Sequence, residues 1–287
     1  MGFFARIGVI KGMTPILILL LVGAPAAAQS PAAKTSLLES LALCTGSDRA
    51  SPEPQINGCT AVIDAVGSRA PAAAMAYNNR GDAYAEKGDY DRAVKDFDQS
   101  IKLNPSNAKP FNNRGFIYLK KGEYDLAIKN LEEAIRLDPN YTKAFINRAE
   151  TYQKKNAYDR AVRDYDEAIR LEPNLKTAWN GRCWTRAILG ELQAALEDCN
   201  KALQSEPSDA ATFDSRGLTY MKMGQFDTAI NDYDSALRLD PKLASALYGR
   251  GLAKRKKGDK LGGDADMSAA KKIHAKIDED FARYGVQ

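Results

Sequence analysis

Residues 77–105 read YNNRGDAYAEKGDYDRAVKDFDQSIKLNP, and residues 111–139 read FNNRGFIYLKKGEYDLAIKNLEEAIRLDP. The second string repeats the first at a shift of 34 residues: an aromatic ring, then NNRG, a tyrosine seven places on, and a closing proline. The shift holds well beyond these two copies. Pro71, Pro105, Pro139, Pro173, Pro207 and Pro241 lie on one comb with no insertion, which uses half of the 12 prolines in the chain. Self-similarity at such a period marks an array of small supersecondary units rather than one globule.

Each unit reads as two helices. Tyr77, Gly81 and Tyr84 fall at i, i+4 and i+7 and share one helical stripe, and Ala93 with Phe97 forms a stripe on the following helix. The small place recurs as Gly81, Gly115, Ala149, Cys183, Gly217 and Gly251, and the facing large place as Phe97, Leu131, Tyr165, Cys199, Tyr233 and Met267. A small residue lets the two helix axes approach, and the larger side chain fills the space beside it. Gly88, Gly122, Gly190, Gly224 and Gly258, with Asn156 in the remaining unit, stand between the helices, where a left-handed cap is wanted. The comb prolines end each second helix because the ring cannot continue one. A single hairpin cannot bury both of its faces, so neighbours must stack.

The order aromatic, small, aromatic, alanine, aromatic, proline at a 34-residue period resembles the tetratricopeptide repeat over residues 74–277, as six units. The resemblance implies an all-α fold, a right-handed superhelical α-solenoid of antiparallel helix pairs, with the first helices lining a concave face. Upstream, residues 36–73 read as a degenerate helix pair with a long connection over 45–55, preceded by a flexible start over 29–35. Downstream, Ile273, Ile277, Phe281 and Tyr284 continue an apolar stripe at i, i+4, i+8 and i+11. This predicts a capping helix over 278–287 that covers the last exposed core face.

Composition narrows the function. The net charge of +4 includes Arg6 and Lys11, which form a basic region ahead of an apolar stretch from Pro15 to Val22. With Ala26, Ala27 and Ala28 following, residues 1–28 read as a signal peptide cut near Ala28 and Gln29. The remainder is too weakly basic for a nucleic-acid binder, and no later segment is apolar enough to span a membrane. A periplasmic or secreted location follows. The one histidine, His274, sits beside Lys271 and Lys272. With neither a phosphate loop nor a Cys-x-x-Cys pair, no catalytic residue, metal site or cofactor is expected, and the chain reads as a scaffold rather than an enzyme.

Repetition also separates structural charges from binding ones. Arg80, Arg114, Arg148, Arg182, Arg216 and Arg250 recur beside the small place, and Asp96, Asp164, Asp198 and Asp232 recur on the second helix, with Asn130 in the unit lacking Asp. An internal ladder accounts for both series. On the opposite side of the first helices, at about 100° per residue, stand Asn79, Asn113 and Asn147. Lys109, Lys120, Lys143 and Lys154 flank them, with Phe116, Trp184 and Leu218 as apolar members. A primary amide can pair with both groups of a peptide backbone, and the asparagine series is similar to that of the O-GlcNAc transferase superhelix. The expected partner is another protein, held as an extended segment. A glycan or small ligand at Trp184 is the alternative.

Cys44 and Cys59 bracket the long connection of the first pair, and Cys183 and Cys199 occupy facing places of one hairpin. Crossed pairings would join distant units, so the expected bridges are Cys44–Cys59 and Cys183–Cys199, in keeping with an oxidising compartment. Alkylation without reductant should label none of the four thiols, and labelling after reduction should reach all of them. Reduction should cost about 3 kcal/mol for each loop of roughly 15 residues. Four labelled thiols in the unreduced, exported protein would rule out both bridges.

Overall fold

The computed structural model describes residues 31–46 and 51–286. The expected signal peptide lies outside them. The described residues form 15 helices and no strand, so the all-α, tetratricopeptide-like fold is as the repeat implied. The chain divides into two compact units at Asp138 and Pro139.

Unit 1 contains α1 (Pro31–Thr45), α2 (Pro52–Val66), α3 (Ala73–Glu86), α4 (Tyr90–Leu103), α5 (Ala108–Lys121) and α6 (Tyr124–Leu137). They pack as the hairpins α1/α2, α3/α4 and α5/α6, with each second helix also touching the next first helix. Helix α1 starts at Pro31, inside the stretch expected to be flexible, and α2 starts at Pro52, before the expected end of the connection. Proline suits both starts, since the first helical N–H has no intrahelical partner to lose.

Unit 2 contains α7 (Thr142–Lys154), α8 (Tyr158–Leu171), α9 (Lys176–Leu189), α10 (Leu192–Ser205), α11 (Ala210–Lys222), α12 (Phe226–Leu239), α13 (Ala244–Lys256), α14 (Lys260–Ile273) and the short α15 (Ile277–Arg283). The first helices α7, α9, α11 and α13 each touch the next and make one face.

Close approach inside each hairpin follows the small-against-large pattern. A Cβ added to Gly81 would sit 2.7 Å from the Phe97 ring, one on Gly115 would sit 2.8 Å from Leu131, and one on Gly217 would sit 2.8 Å from Tyr233. Where both places are cysteine, the sulfurs of Cys183 and Cys199 lie at bonding distance, with a Cα–Cα separation of 5.3 Å. Cys44 and Cys59 are joined in the same way at 4.4 Å. Between helices the backbone is left-handed, as at Gly122 (φ 76°) and at Asn156 (φ 57°), the single non-glycine with positive φ among the described residues.

The arginine series forms the expected ladder. Arg80, Arg148, Arg182, Arg216 and Arg250 each grip the aspartate 16 residues on through two nitrogens at 2.6–2.9 Å. Arg114 reaches Asn130 at 2.7 Å. Several extend their third nitrogen to the preceding hairpin: Arg182 to Asp166 at 2.6 Å, Arg216 to Asn200 at 2.8 Å and Arg250 to Asp234 at 2.7 Å. The fork geometry of guanidinium suits this double duty. One residue thus ties a hairpin internally and to its neighbour.

A C-terminal helix forms at Ile277–Arg283, close to the expected 278–287, but the apolar stripe does not run into it from Ile273. Helix α14 stops at Ile273 and His274 turns extended (φ −136°, ψ 99°), although Ala275 stands where the comb would place a proline. The apolar stripe is therefore broken. Ile273 is 50% exposed, whereas Ile277 and Phe281 are buried on a separate helix against α13. Arg148→Ala leaves Asp164 buried without its guanidinium. It should lower stability by about 3 kcal/mol, read by urea unfolding. Loss of the exposed Arg170–Glu167 pair in Arg170→Ala should cost under about 1 kcal/mol.

Candidate functional site

The two first-helix faces differ in chemistry. In unit 1 the asparagines bond to one another and to neighbouring groups. Asn79 Nδ2 donates to the Cys44 carbonyl at 3.2 Å while its Oδ1 accepts from Asn78 Nδ2. Asn113 Nδ2 donates to Asn78 Oδ1 at 3.2 Å and to Asp82 Oδ1 at 2.7 Å, and its Oδ1 accepts from Asn112. Asn113 commits both of its N–H groups, and Asn79 one of its two, to a network that spaces α3 from α5 and from the end of α1. Asn147, in unit 2, is buried at 4% exposure. Outward from this network, Lys109 and Lys120 are exposed, and Phe116 is half-buried with Lys120 Nζ 4.9 Å from its ring centroid. In unit 2, Lys143 and Lys154 are likewise exposed.

The asparagine series ends for a steric reason. A Cβ at Gly181 would lie 2.4 Å from the Tyr165 ring and 2.6 Å from its hydroxyl, and one at Gly249 would meet Tyr233 in the same way. Tyrosine in the large place of one hairpin reaches under the first helix of the next and leaves room only for glycine. Where the large place is Phe97 or Cys199, the residue 16 positions on keeps a side chain, Asn113 or Ser215. The coupling is visible in the sequence as a tyrosine–glycine pairing at that separation, a signal that a reading unit by unit misses.

The face of α9, α11 and α13 is occupied by the chain itself. Ile277, Phe281 and Val286 are buried in one cluster with Leu218, Tyr248 and Leu252, with Trp184 and Ile188 packed against it. The Phe281 ring lies 4.8 Å from Tyr248, and Tyr284 meets Trp184 edge to face at 5.1 Å. On its other side Trp184 meets Tyr158 at 6.1 Å. Lys222 Nζ donates to the Ile188 carbonyl at 3.1 Å and to the Tyr284 carbonyl at 2.9 Å, and loss of water lowers its pKa. Leu218 retains 4% exposure. Trp184 and Leu218, read from sequence as anchors for a partner, are therefore contacts of residues 277–286.

One carboxyl on this face is unusual. Asp214 of α11 accepts from Ser245 Oγ at 2.6 Å, and burial pushes it up to about 7. Tyr233 next to it has a buried hydroxyl with no partner among the described residues. Neither arrangement forms a catalytic set. His274 is half exposed, with Nε2 2.7 Å from Asp280, and no group of three metal-ligating side chains occurs among the described residues. None of the described helices is long and apolar enough to cross a membrane.

Comparison with known proteins agrees with the geometry. The family described as TPR repeat matches residues 81–122 and 217–258, and the tetratricopeptide repeat matches 108–141 and 142–175. A tetratricopeptide-repeat protein from Parabacteroides merdae is 18% identical, with 88% of this chain and 99% of that one covered at a TM-score of 0.67. A thermophilic tetratricopeptide-repeat protein from Thermus thermophilus is 22% identical over 66% and 99%, at 0.51. A chain of the Cut9–Hcn1 hetero-tetramer of the APC/C is 17% identical over 92% and 51%, at 0.63. These likenesses are of fold. No curated protein matches the sequence.

Asp214 provides a pH test. Its unfolded pKa is about 3.9, so the folded chain holds this proton up to about pH 7. The folded state binds more protons across that window, and stability attributable to Asp214 falls as pH rises through it. Asp214→Asn should match the unaltered chain near pH 4 and gain on it up to pH 7, by at most about 4 kcal/mol. Thermal unfolding at several pH values reads the difference.

Proposed function

The chain belongs to the tetratricopeptide-repeat family, and on that premise we propose that it is a non-enzymatic scaffold outside the cytoplasm that holds polypeptide segments on its first-helix faces. The fold is that of protein–protein interaction scaffolds. The observation that carries the finer reading is the seating of residues 277–286 on α9, α11 and α13. There a lysine takes a main-chain carbonyl and aromatic rings take side chains, so this face has the chemistry for binding polypeptide.

In unit 1 the equivalent contacts fall to Lys109, Lys120 and Phe116, with Asn79 and Asn113 setting the spacing beneath them. Lysines over an aromatic favour an extended segment that carries both acidic and apolar side chains. Lys143, Lys154 and the buried Asn147 stand at the corresponding places at the start of unit 2, with Glu150 where Phe116 stands. The two cysteine pairs support an oxidising, periplasmic or secreted setting.

Peptide arrays compared with glycan arrays test the reading. Acidic peptides with spaced apolar residues should bind. Lys109→Ala with Lys120→Ala should weaken them by about tenfold at low salt, with the difference shrinking as salt is raised. Glycan binding without peptide binding would overturn it.

A further inference from the structure

Residues 277–286 hold their place chiefly through four apolar anchors, with few polar contacts beside them. Helix α15 has seven residues, too short to be stable alone, so its form depends on docking. The anchors are Ile277, Phe281, Tyr284 and Val286, at i, i+4, i+7 and i+9. The polar contacts around them, Lys271–Asp278, His274–Asp280 and Arg283–Asp280, are between side chains at the surface, where such pairs contribute little. Lys222 loses water to reach the Tyr284 carbonyl, which disfavours its charge. The link to α14 is three residues long, His274 to Lys276.

The segment also leaves part of the face unfilled. Beside Tyr284 an open cleft of about 330 Å³ continues toward α7 and α8, lined by Lys154, Tyr158 and Trp184 on one side and by Asp280 and Arg283 on the other. A ligand longer than the segment could therefore occupy its place and extend past it.

We infer that residues 277–286 are a built-in occupant of a polypeptide site on α9, α11 and α13, and that the external ligand is a short amphipathic helix of the same chemistry. That helix carries acidic residues in its first turn, apolar side chains at i, i+4 and i+7, and an aromatic ring to meet Trp184. Its binding requires release of the chain's own segment. The inference rests on the reading of the first-helix faces as polypeptide sites. A tethered segment competes at an effective concentration in the millimolar range, so the unaltered chain presents this site only to ligands that outcompete it.

The probe is a labelled synthetic peptide of residues 275–287, AKIDEDFARYGVQ. Phe281→Ala with Tyr284→Ala loosens the resident segment and should bind the probe at least about tenfold more tightly than the unaltered chain. Adding Trp184→Ala should reverse that gain. Should the double variant lose helicity by circular dichroism, Tyr284→Ala alone serves, since that ring is only half-buried. With the unaltered chain, excess probe should raise hydrogen exchange in residues 277–286. No binding by a folded loosened variant, or equal binding by both proteins, overturns the inference. Acidic-peptide binding that depends on Lys109 and Lys120 reports on the scaffold reading separately: its survival in that case would leave the scaffold standing without the built-in occupant.

Discussion

The fold depends on one approach distance, that between the two helices of each hairpin. In the hairpins of Gly81, Gly115 and Gly217, glycine on the first helix faces a large side chain on the second so closely that a single added methyl group would overlap the ring or branch, and Ala149 and Cys183 keep the same place small in two others. That approach places the arginine one residue earlier within reach of the aspartate on the second helix, 16 residues on. Because the fork has nitrogens to spare, it also reaches the hairpin before. Close packing and charge pairing are thus two results of the same spacing. In a stacked array each tie stabilises a neighbour as well as its own unit.

Much of this was legible because each feature recurs. The period, the hairpin boundaries, the left-handed caps and the arginine–aspartate pairing repeat, and repetition separates a structural requirement from chance. The asparagines recur too, which is why they read as a ligand ladder. In the structure Asn79 and Asn113 bond to Asn78, Asn112, Asp82 and the Cys44 carbonyl, so part of their pairing capacity goes to helix spacing. The series stops at Gly181 and Gly249 because Tyr165 and Tyr233 reach beneath them.

The capping helix itself was legible in the sequence, but the break at His274 and the surface its residues cover were not. Ile273, Ile277, Phe281 and Tyr284 fit one continuous helix by spacing alone. Whether the backbone breaks at His274 depends on which surface rewards the break, and the reward lies on helices well upstream, at Tyr248, Leu218 and Trp184. For the same reason the apolar character of that face was ambiguous. Exposed apolar side chains on an isolated helix look alike whether their partner is another protein or a later part of the same chain.

The hairpin that carries Trp184 adds a last constraint. Its core is thin: Cys183, Ala187, Ala195 and Cys199 form a cluster of small side chains, where other hairpins have Phe97, Tyr165 or Tyr233. Omitting an aromatic side chain forfeits about 1.5–3 kcal/mol of burial. A bridge closing a loop of this length restores about 3 kcal/mol by the chain-entropy model. The two are of similar size, so the bond substitutes for the missing ring. Cys183 directly precedes Trp184, so the bridge lies next to the position that presents the indole. The bridge therefore ties the packing of this hairpin to the helix that carries the aromatic contact with Tyr284.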